Sequence, residues 1–402
     1  DEEQDDEGLE SGGDPASSAV SPMVCDSGVD AELMSINLIG VVRISSQKQD
    51  GHSSDKSNSC PTAFSTEKNQ KHRTQGSSLS CTVAFTARGL MPPVFTPLNH
   101  DHTINLAPIP GYAKFLADAG IKSHMTLGVS DRKKVIAEWV SVGKRTGLHV
   151  MVQVGGAPFR DVIELTKFCS QAGVDSLLTL PELYFKPTTV DALVSYVELV
   201  AGAAPNLPVL YYHIPSNTKV ESECEICNTF IHTILENITT IHVYNTDFKY
   251  RILAYFIYLF IYINLPLTYA RIPNFKGIKF TSNDLSEGAQ VLRSLTGDQE
   301  MFLGADTLLA PGALLGIKSS IGTSYNLFPK LAQDILCAVA SGDVQLARIL
   351  QEKLSPWVPV MKAGMEIVTG IKVGPPGLPQ DELSSVAKQR IAGKLKALKL
   401  ID

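Results

Sequence analysis

Apolar and polar positions follow two different rhythms along this chain from residue 89 onward. Short apolar runs, which predict buried strands, alternate with segments in which apolar residues recur every three or four positions, which predict helices. The predicted strands are 90–98, 149–154, 175–180, 207–213, 272–281, 301–303 and 319–322. The predicted helices are 107–119, 131–144 with Ser130 as N-cap, 158–172, 188–203, 285–295, 308–315, 329–340, 344–367 and 382–400.

This regular alternation indicates an α/β protein whose parallel strands are joined by right-handed helical crossovers. For a chain of this length we expect a (β/α)8 TIM barrel, followed by extra carboxyl-terminal helices. In such barrels the chemistry lies where the strands end. Three strand ends carry candidate side chains: Tyr212, then Lys279 with Thr281, then Gly304 with Asp306.

The strand around Lys279 is the most informative of the three. At a period of two residues, Ile278 and Phe280 point to one side and Lys279 to the other. A lysine in such apolar surroundings has a lowered pKa, because burial disfavours the ammonium form, and its neutral amine can attack a carbonyl carbon. The alternative is a lysine whose stem alone is buried and whose ammonium group reaches the rim of the sheet.

Tyr212 ends the strand that precedes the lysine strand. A phenol close to a neutral lysine can transfer protons during imine formation and carbon–carbon cleavage. The alternative is a tyrosine that lines the barrel and hydrogen-bonds internally.

Composition narrows the class of protein. The chain has 402 residues, of which 44% are hydrophobic and 19% charged, as expected of a globular protein with a large core. Seven acidic residues lie within 1–10, so the net charge of −6 leaves about +1 for the rest of the chain. We find no basic cluster that would predict a nucleic-acid surface. Seven scattered cysteines predict a reducing, cytoplasmic location.

The first 87 residues differ from the rest in composition. They are rich in Ser, Asp, Gln, Lys and Gly and lack a sustained apolar period. Such a segment buries too little surface to offset its chain entropy. We therefore predict that 1–87 is disordered or foreign to the domain, and that 88–402 forms the barrel and its carboxyl-terminal helices.

Three motifs in order along the chain resemble the N-acetylneuraminate lyase family. Residues 209–215 are Val-Leu-Tyr-Tyr-His-Ile-Pro, 275–280 are Phe-Lys-Gly-Ile-Lys-Phe and 322–326 are Gly-Thr-Ser-Tyr-Asn. A fourth match, Gly-Pro-Pro-Gly-Leu-Pro, lies at 374–379. These lyases are pyruvate-dependent class I aldolases, related to the dihydrodipicolinate synthases. The resemblance extends from about residue 91 to the carboxyl terminus.

The resemblance implies a role for each matching residue. Lys279 would form a Schiff base with pyruvate, and Tyr212 would relay the proton. Tyr184 matches the tyrosine offered near a neighbouring subunit's site, since the family forms homotetramers. The resemblance implies no cofactor and no metal, because the covalent imine itself accepts the electrons.

Substrate contacts are implied in the same way. Thr281, Gly304, Asp306 and Thr323 fall where the lyases contact the substrate. Thr307 stands where many lyases have a glutamate for the glycerol tail, so the identity of the sugar acid stays open. Residues 216–218, Ser-Asn-Thr, lack the arginine that synthases use for a second carboxylate, which favours the lyase.

One part of the family pattern is missing. Between Gly120 and Ser130 the chain has nine residues, where the family has a second strand ending in a Gly-Thr-Thr-Gly-Glu type of loop. That loop holds the pyruvate carboxylate and joins the proton relay. Nine residues allow at most a stub of a strand, because a connection takes about two to six residues by itself.

One segment is in excess. Residues 228–270 are dense in Ile, Tyr, Phe, Leu, Thr and Asn, and our hypothesis is that they are a foreign insertion of retained non-coding sequence. The apolar run 252–267 has 16 residues and contains Asn264 and Pro266, so it is shorter than the roughly 20 residues that a membrane span needs. A membrane-tethered protein is the alternative.

From these observations we predict a Schiff-base aldolase that cleaves N-acetylneuraminate to N-acetylmannosamine and pyruvate. One alternative is an impaired or inactive barrel of the same family that serves in binding or assembly, which the missing loop favours. Another is an aldolase for a related 2-oxo acid. Because the loop is missing, we expect this chain as it stands to cleave little or no N-acetylneuraminate.

Overall fold

The computed structural model describes residues 39–43, 84–118, 121–123, 128–218, 271–357, 361–377 and 382–401. The strands are β1 (Ile39–Arg43), β2 (Leu90–Met91), β3 (Ile121–Ser123), β4 (Leu148–Gln153), β5 (Ser176–Thr179), β6 (Val209–His213), β7 (Phe275–Phe280), β8 (Glu300–Leu303) and β9 (Ser319–Ile321). The helices are α1 (Ile109–Asp118), α2 (Val129–Thr146), α3 (Phe159–Ala172), α4 (Val190–Gly202), α5 (Pro215–Thr218), α6 (Leu285–Ser294), α7 (Leu309–Leu314), α8 (Pro329–Ala340), α9 (Val344–Leu354), α10 (Met361–Thr369) and α11 (Ser385–Ala397).

The strands form one sheet in the order β2-β9-β8-β7-β6-β5-β4-β1-β3. Every pair from β2 to β4 in this order is parallel. Strand β2 and strand β9 come from opposite ends of the barrel sequence yet pair with each other, so the sheet curls back on itself. The predicted α/β barrel architecture is therefore confirmed, with helices outside the sheet and extra helices at the carboxyl-terminal end.

The wall next to β4 departs from the barrel pattern. Strand β3 has three residues, the stub that the short connection allows, and it pairs antiparallel with β1. Strand β1 in turn pairs antiparallel with β4. Residues 39–43 thus form a strand inside the segment predicted to be disordered or foreign, because an apolar stretch there meets an open sheet edge. Residues 1–38 and 44–83 lie outside the described residues, and the boundary at residue 88 stays a prediction.

Local signals set most helix ends. Gly147 and Gly173 end α2 and α3 in the left-handed conformation, with φ of 68° and 79°. Thr189 caps α4 by accepting a hydrogen bond from the backbone N–H of Ala192. The prediction that Ser130 caps α2 was wrong: the helix begins at Val129, with Gly128 at the cap position and no side-chain cap.

Apolar side chains pack against both faces of the sheet. The outer layer lies between strands and helices and contains the fully buried Trp139 and Tyr112, whose ring centroids are 5.8 Å apart. The barrel interior contains Met151, Leu210 and Phe302 among other apolar side chains. Because the interior is filled by side chains, polar chemistry is left to the strand ends.

The segment predicted as an insertion, 228–270, lies outside the described residues. Among the helices that the structure describes, none has the length and apolar character required to cross a membrane. Cys169 on α3 is a buried free thiol.

Candidate active site

Lys279 lies near the carboxyl-terminal end of β7, and only 3% of the residue is exposed. Its strand neighbours Ile278 and Phe280 pack into a separate cluster outside the barrel, as the period of two predicted. Burial lowers the pKa of Lys279 from 10.5 to about 7, and the negative charge of Asp306 partly opposes this effect. A substantial fraction of the amine is therefore neutral near pH 7.

Tyr212 faces Lys279 from the neighbouring strand. The two residues are direct partners in the β6–β7 register, and the Lys279 Nζ lies 4.0 Å from the centroid of the Tyr212 ring. Burial raises the pKa of the Tyr212 phenol; Thr281 opposes the increase, and the charge of Asp306 adds to it. Although Thr281 Oγ1 influences the phenol, the two do not meet the geometry of a hydrogen bond. The resting phenol is thus protonated and beside the amine.

A β-bulge sets this register. Val209 pairs with Phe275, but the next residue, Leu210, pairs with Gly277, so β7 contains one extra residue. Gly277 has a φ of 138°, and a Cβ atom there would collide with the backbone carbonyl oxygen of Glu300. Without the extra residue, Tyr212 would lie opposite an outward-pointing position rather than Lys279.

Lys276 is the extra residue in this bulge. Its ammonium group binds the carboxylate of Asp298, with an Nζ–Oδ2 distance of 3.0 Å. The Lys276 side chain is 6% exposed, so the chain has two buried lysines on one strand. Lys276 has a carboxylate partner at hydrogen-bond distance, whereas Lys279 lies beside the Tyr212 ring and is influenced by the charge of Asp306.

Asp306 supplies the carboxylate of the site. It is 4% exposed, and its Oδ2 accepts a hydrogen bond of 2.7 Å from the backbone N–H of Ser324. Burial raises the pKa of Asp306, while the bonds from Ser324 and the charge of Lys279 lower it. A Cβ at Gly322 would collide with this carboxylate and with the ring of Tyr325, so glycine there lets the loop after β9 close over Asp306.

The structure brings five of the predicted residues together. Lys279, Tyr212, Thr281 and Asp306 influence one another as described above, and a Cβ at Gly304 would collide with Thr281 and lie 3.1 Å from Lys279 Cε. These side chains therefore form one cluster at the carboxyl-terminal ends of β6, β7 and β8.

The other three predicted residues are placed differently. Thr323 is buried next to Ser324 in the loop after β9. Thr307 follows Asp306 but is exposed. Tyr184 is 83% exposed on the loop after β5, and its ring packs edge-on against Phe185 with centroids 4.8 Å apart. In a single chain, Tyr184 is a surface residue.

Sequence reasoning missed Tyr325 and Ser320. The Tyr325 hydroxyl donates to Ser320 Oγ at 2.7 Å, since the Ser320 hydroxyl itself donates to the carbonyl oxygen of Leu303. Burial and the nearby charge of Asp306 raise the pKa of the Tyr325 phenol. Tyr325 belongs to the motif at 322–326, which was the available signal; Ser320 had none.

A second missed group lies behind Lys279 and Tyr212. His213 follows Tyr212 and stacks on Phe280, which follows Lys279, with ring centroids 5.4 Å apart and an interplanar angle of 14°. The His213 Nε2 lies 3.4 Å from a carboxylate oxygen of Glu287 on α6. The backbone N–H of Thr281 also donates to the carbonyl oxygen of His213 at 2.8 Å. These contacts tie β6 to β7 where the site is formed.

Comparison with known proteins decides the family. The sequence model of the dihydrodipicolinate synthetase family matches residues 86–254 and 266–376. The chain belongs to this family. The unmatched stretch between the two ranges lies inside the segment predicted as an insertion.

Curated relatives bear the lyase name. N-acetylneuraminate lyases of Pongo abelii and Homo sapiens are each 28% identical to this chain over 336 residues, which is 78% of the chain and 93% of the relative. The enzyme of Danio rerio is 28% identical over 328 residues, with 76% and 95% covered. The resemblance inferred from the motifs is thus confirmed, and the chain is placed among the class I lyases.

Solved structures show the same fold. N-acetylneuraminate lyase of Aliivibrio salmonicida superimposes with a TM-score of 0.64 at 24% identity, covering 79% of this chain and 99% of that one. A prophage protein of the dihydrodipicolinic acid synthase family from E. coli K12, solved in complex with pyruvate, gives 0.61 at 21% identity, with 78% and 99% covered.

Proposed function

We propose that this chain is a Schiff-base aldolase that cleaves N-acetylneuraminate to N-acetylmannosamine and pyruvate, with Lys279 as the nucleophile. The observation that carries the proposal is the buried amine of Lys279, whose pKa is lowered to about 7 and whose Nζ lies 4.0 Å from the Tyr212 ring. A neutral amine beside a phenol is the arrangement that imine formation needs.

The chemistry follows from these two side chains. The Lys279 amine attacks the keto carbon of the sugar acid, and the Tyr212 phenol donates a proton to the departing hydroxyl as water leaves and the imine forms. The resulting phenolate is stabilised by the adjacent imine cation and accepts the proton of the substrate hydroxyl. The bond between the carbons α and β to the imine then breaks, and its electron pair enters the imine to give an enamine. Protonation of the enamine and hydrolysis release pyruvate.

The neighbouring polar groups would hold the rest of the substrate. Asp306 and Thr281 adjoin the lysine and are available to bind hydroxyl groups of the sugar chain, with Gly304 leaving room for it. Thr323 would act from the loop after β9, and Thr307, which is exposed, from the rim. No cofactor and no metal enter this scheme.

Assembly and location belong to the same proposal. We propose a homotetramer in which the exposed Tyr184 of each chain reaches a neighbouring subunit, because Leu183, Tyr184 and Phe185 form a contiguous exposed apolar patch of the kind that marks an interaction site. We also retain the cytoplasm as the proposed location.

Reductive trapping tests the nucleophile directly. Borohydride added in the presence of pyruvate should attach a stable three-carbon adduct to the peptide that contains Lys279, as seen by mass spectrometry. Lactate dehydrogenase coupling then measures pyruvate release from N-acetylneuraminate. An adduct on another residue would refute the assignment, and turnover of a different 2-oxo sugar acid alone would favour a related aldolase.

A second candidate function is an impaired barrel that serves in binding or assembly. The observation that favours it is β3, which has only three residues, together with the absence from the sequence of the Gly-Thr-Thr-Gly-Glu loop. Under this alternative, trapping occurs weakly or not at all, and no pyruvate is released, even though the barrel is folded.

A further inference from the structure

The edge of β4 requires a partner strand. All six of its residues are buried, and β5 covers one edge through parallel pairing. An unpaired edge of this kind leaves a row of buried N–H and C=O groups without hydrogen bonds, which is costly. The three residues of β3 are too few to cover the other edge of β4.

Strand β1 covers this edge along nearly its full length. Five consecutive residues pair with β4, from Ile39 opposite Val152 to Arg43 opposite Leu148. Three of the five residues of β1, Ile39, Val41 and Val42, are β-branched and are therefore favoured in strands. The pairing is antiparallel, unlike every other pair between β4 and β2.

We propose that residues 39–43 are the barrel's own replacement wall strand, bound in the place of the missing parallel strand. The occupant of the β4 edge is a segment of the same chain, and the segment is therefore part of the folded domain rather than foreign to it. This inference does not depend on the proposed aldolase activity.

The path of the chain supports an occupant from the same molecule. Arg43 lies opposite Leu148, at the amino-terminal end of β4. Phe85 lies at that same end, inside the barrel, with its ring centroid 5.9 Å from that of His149 and 6.3 Å from that of Phe302. The linker between 43 and 85 therefore starts and ends beside the first residues of β4, and the tether gives a high effective concentration.

A separate ion pair holds the chain where it re-enters the barrel after the linker. Arg88 Nε lies 2.5 Å from the carboxylate of Glu300 at the start of β8, and its Nη2 donates to the carbonyl oxygen of Asp298. Phe85 is 3% exposed, so both residues anchor the chain firmly at the amino-terminal end of the barrel.

A parallel strand at this edge would close the wall and also lead into a loop at the site. The direction of β1 separates these two roles. Because β1 is antiparallel, its first residue, Ile39, lies at the carboxyl-terminal end of the barrel, and the strand runs away from the site. It can close the wall, yet it cannot present a strand-to-helix loop to the substrate. The replacement strand is thus expected to support stability without restoring the lost carboxylate contacts.

Engineered disulfides in the full chain test the register. Directly opposite residues in an antiparallel pair have Cα atoms about 4.5–5.5 Å apart, within the range for a disulfide. The double variant Val41→Cys with Val150→Cys should crosslink within one molecule under mild oxidation. The control, Val41→Cys with Val152→Cys, is two residues out of register, with a separation beyond about 7 Å, and should not.

Mass spectrometry of non-reduced peptides reads the outcome. The proposal is supported if an intramolecular crosslink forms in the first variant but not in the control. A crosslink between two chains would assign the edge to a second copy, and no crosslink, or equal crosslinking in both variants, would refute the strand.

A proline variant provides a second, independent test. Val41→Pro removes one ladder hydrogen bond from β1 and should lower Tm by about 5 °C or more. Ser54→Pro, in the same amino-terminal segment but outside the strand, is the control and should leave Tm unchanged. Equal Tm values for the two variants would overturn the proposal.

Discussion

The two sides of this barrel differ in how completely they follow the family pattern. On one side, β6 to β9 are parallel neighbours whose ends carry Lys279, Tyr212 and Asp306, all buried. On the other side, parallel pairing stops at β4, and β1 with the stub β3 fills the wall.

The comparison teaches that the proposed nucleophile, Lys279, and the wall opposite it are built from separate parts. The lowered pKa of Lys279 is explained by its burial, which outweighs the opposing effect of the Asp306 charge, and both residues lie on the complete side. The family's carboxylate loop belongs to the incomplete side. A chain can therefore keep an activated lysine while lacking the donors that position its substrate. The independence of the lysine from the incomplete wall can be tested by variants, from the largest expected effect to the smallest.

The largest effect is expected for Lys279→Met, which should abolish borohydride trapping of pyruvate. The matched control is Lys276→Met, which removes the other buried lysine of β7, the one paired with Asp298. This control should still be labelled at Lys279, as shown by peptide mass spectrometry. Labelling that survives in Lys279→Met would show that another residue is the nucleophile, and would contradict the role given to the complete side.

The next largest effect concerns the incomplete side. Inserting a strand that ends in Gly-Thr-Thr-Gly-Glu between Lys122 and Met125, with 228–270 removed as the proposed insertion, should raise pyruvate release by about 10²–10³-fold. Removal of one such donor typically changes the rate by this factor. The assay is lactate dehydrogenase coupling with N-acetylneuraminate, and deletion of 228–270 alone is the control.

This repair also bears on β1. A restored parallel strand would compete for the edge of β4, so Val41→Pro should no longer lower Tm in the repaired chain. Strong activity in the unrepaired chain would show that the loop is dispensable, and an inactive repaired chain would favour the binding or assembly role.

A smaller, structural effect is expected at the bulge on the complete side. Gly277→Ala places a Cβ against the Glu300 carbonyl at a φ of 138° and should either unfold the site or shift the register of β7. We expect a loss of several kcal/mol, roughly 2–5, in the free energy of unfolding. Gly297→Ala, at a φ of 63° with no atom within 4 Å, should cost only about 1 kcal/mol. Denaturant unfolding measures both.

The smallest effect is a shift in pH dependence. Only the neutral amine of Lys279 attacks, so trapping should fall about tenfold per pH unit below its pKa of about 7. The Asp306 charge raises that pKa, so Asp306→Asn should move the midpoint to lower pH. Glu300→Gln, a buried carboxyl at the other end of β8, should leave it unchanged. A midpoint near 10 would mean that Lys279 is not buried in solution.

Stability should depend on pH through the same group. The folded-state pKa of Lys279 is about 7 against an ordinary value of 10.5, so the unfolded chain binds the proton more readily between these values. Stability should therefore increase as pH rises through this window. Lys279→Met should remove that contribution, as measured by denaturant unfolding at several pH values.

Much of the complete side was predictable from local pattern. The period of two around Lys279 placed Ile278 and Phe280 outside and the amine inside, because neighbouring residues on a strand must point to opposite faces. The alternation of strands and helices predicted the barrel, and the motif at 209–215 identified Tyr212. The stub at β3 followed from the shortness of the connection.

Other features depend on residues that are distant in sequence, and only the tertiary structure decided them. The bulge at Gly277 sets which residue Tyr212 faces, because register is a property of two strands together. Asp306 is held by the backbone of Ser324, a contact between two different loops. The pairing of 39–43 with β4 was invisible for the same reason: a short apolar stretch becomes a strand only where an open edge offers it hydrogen bonds, and that edge exists only once the rest of the barrel has folded.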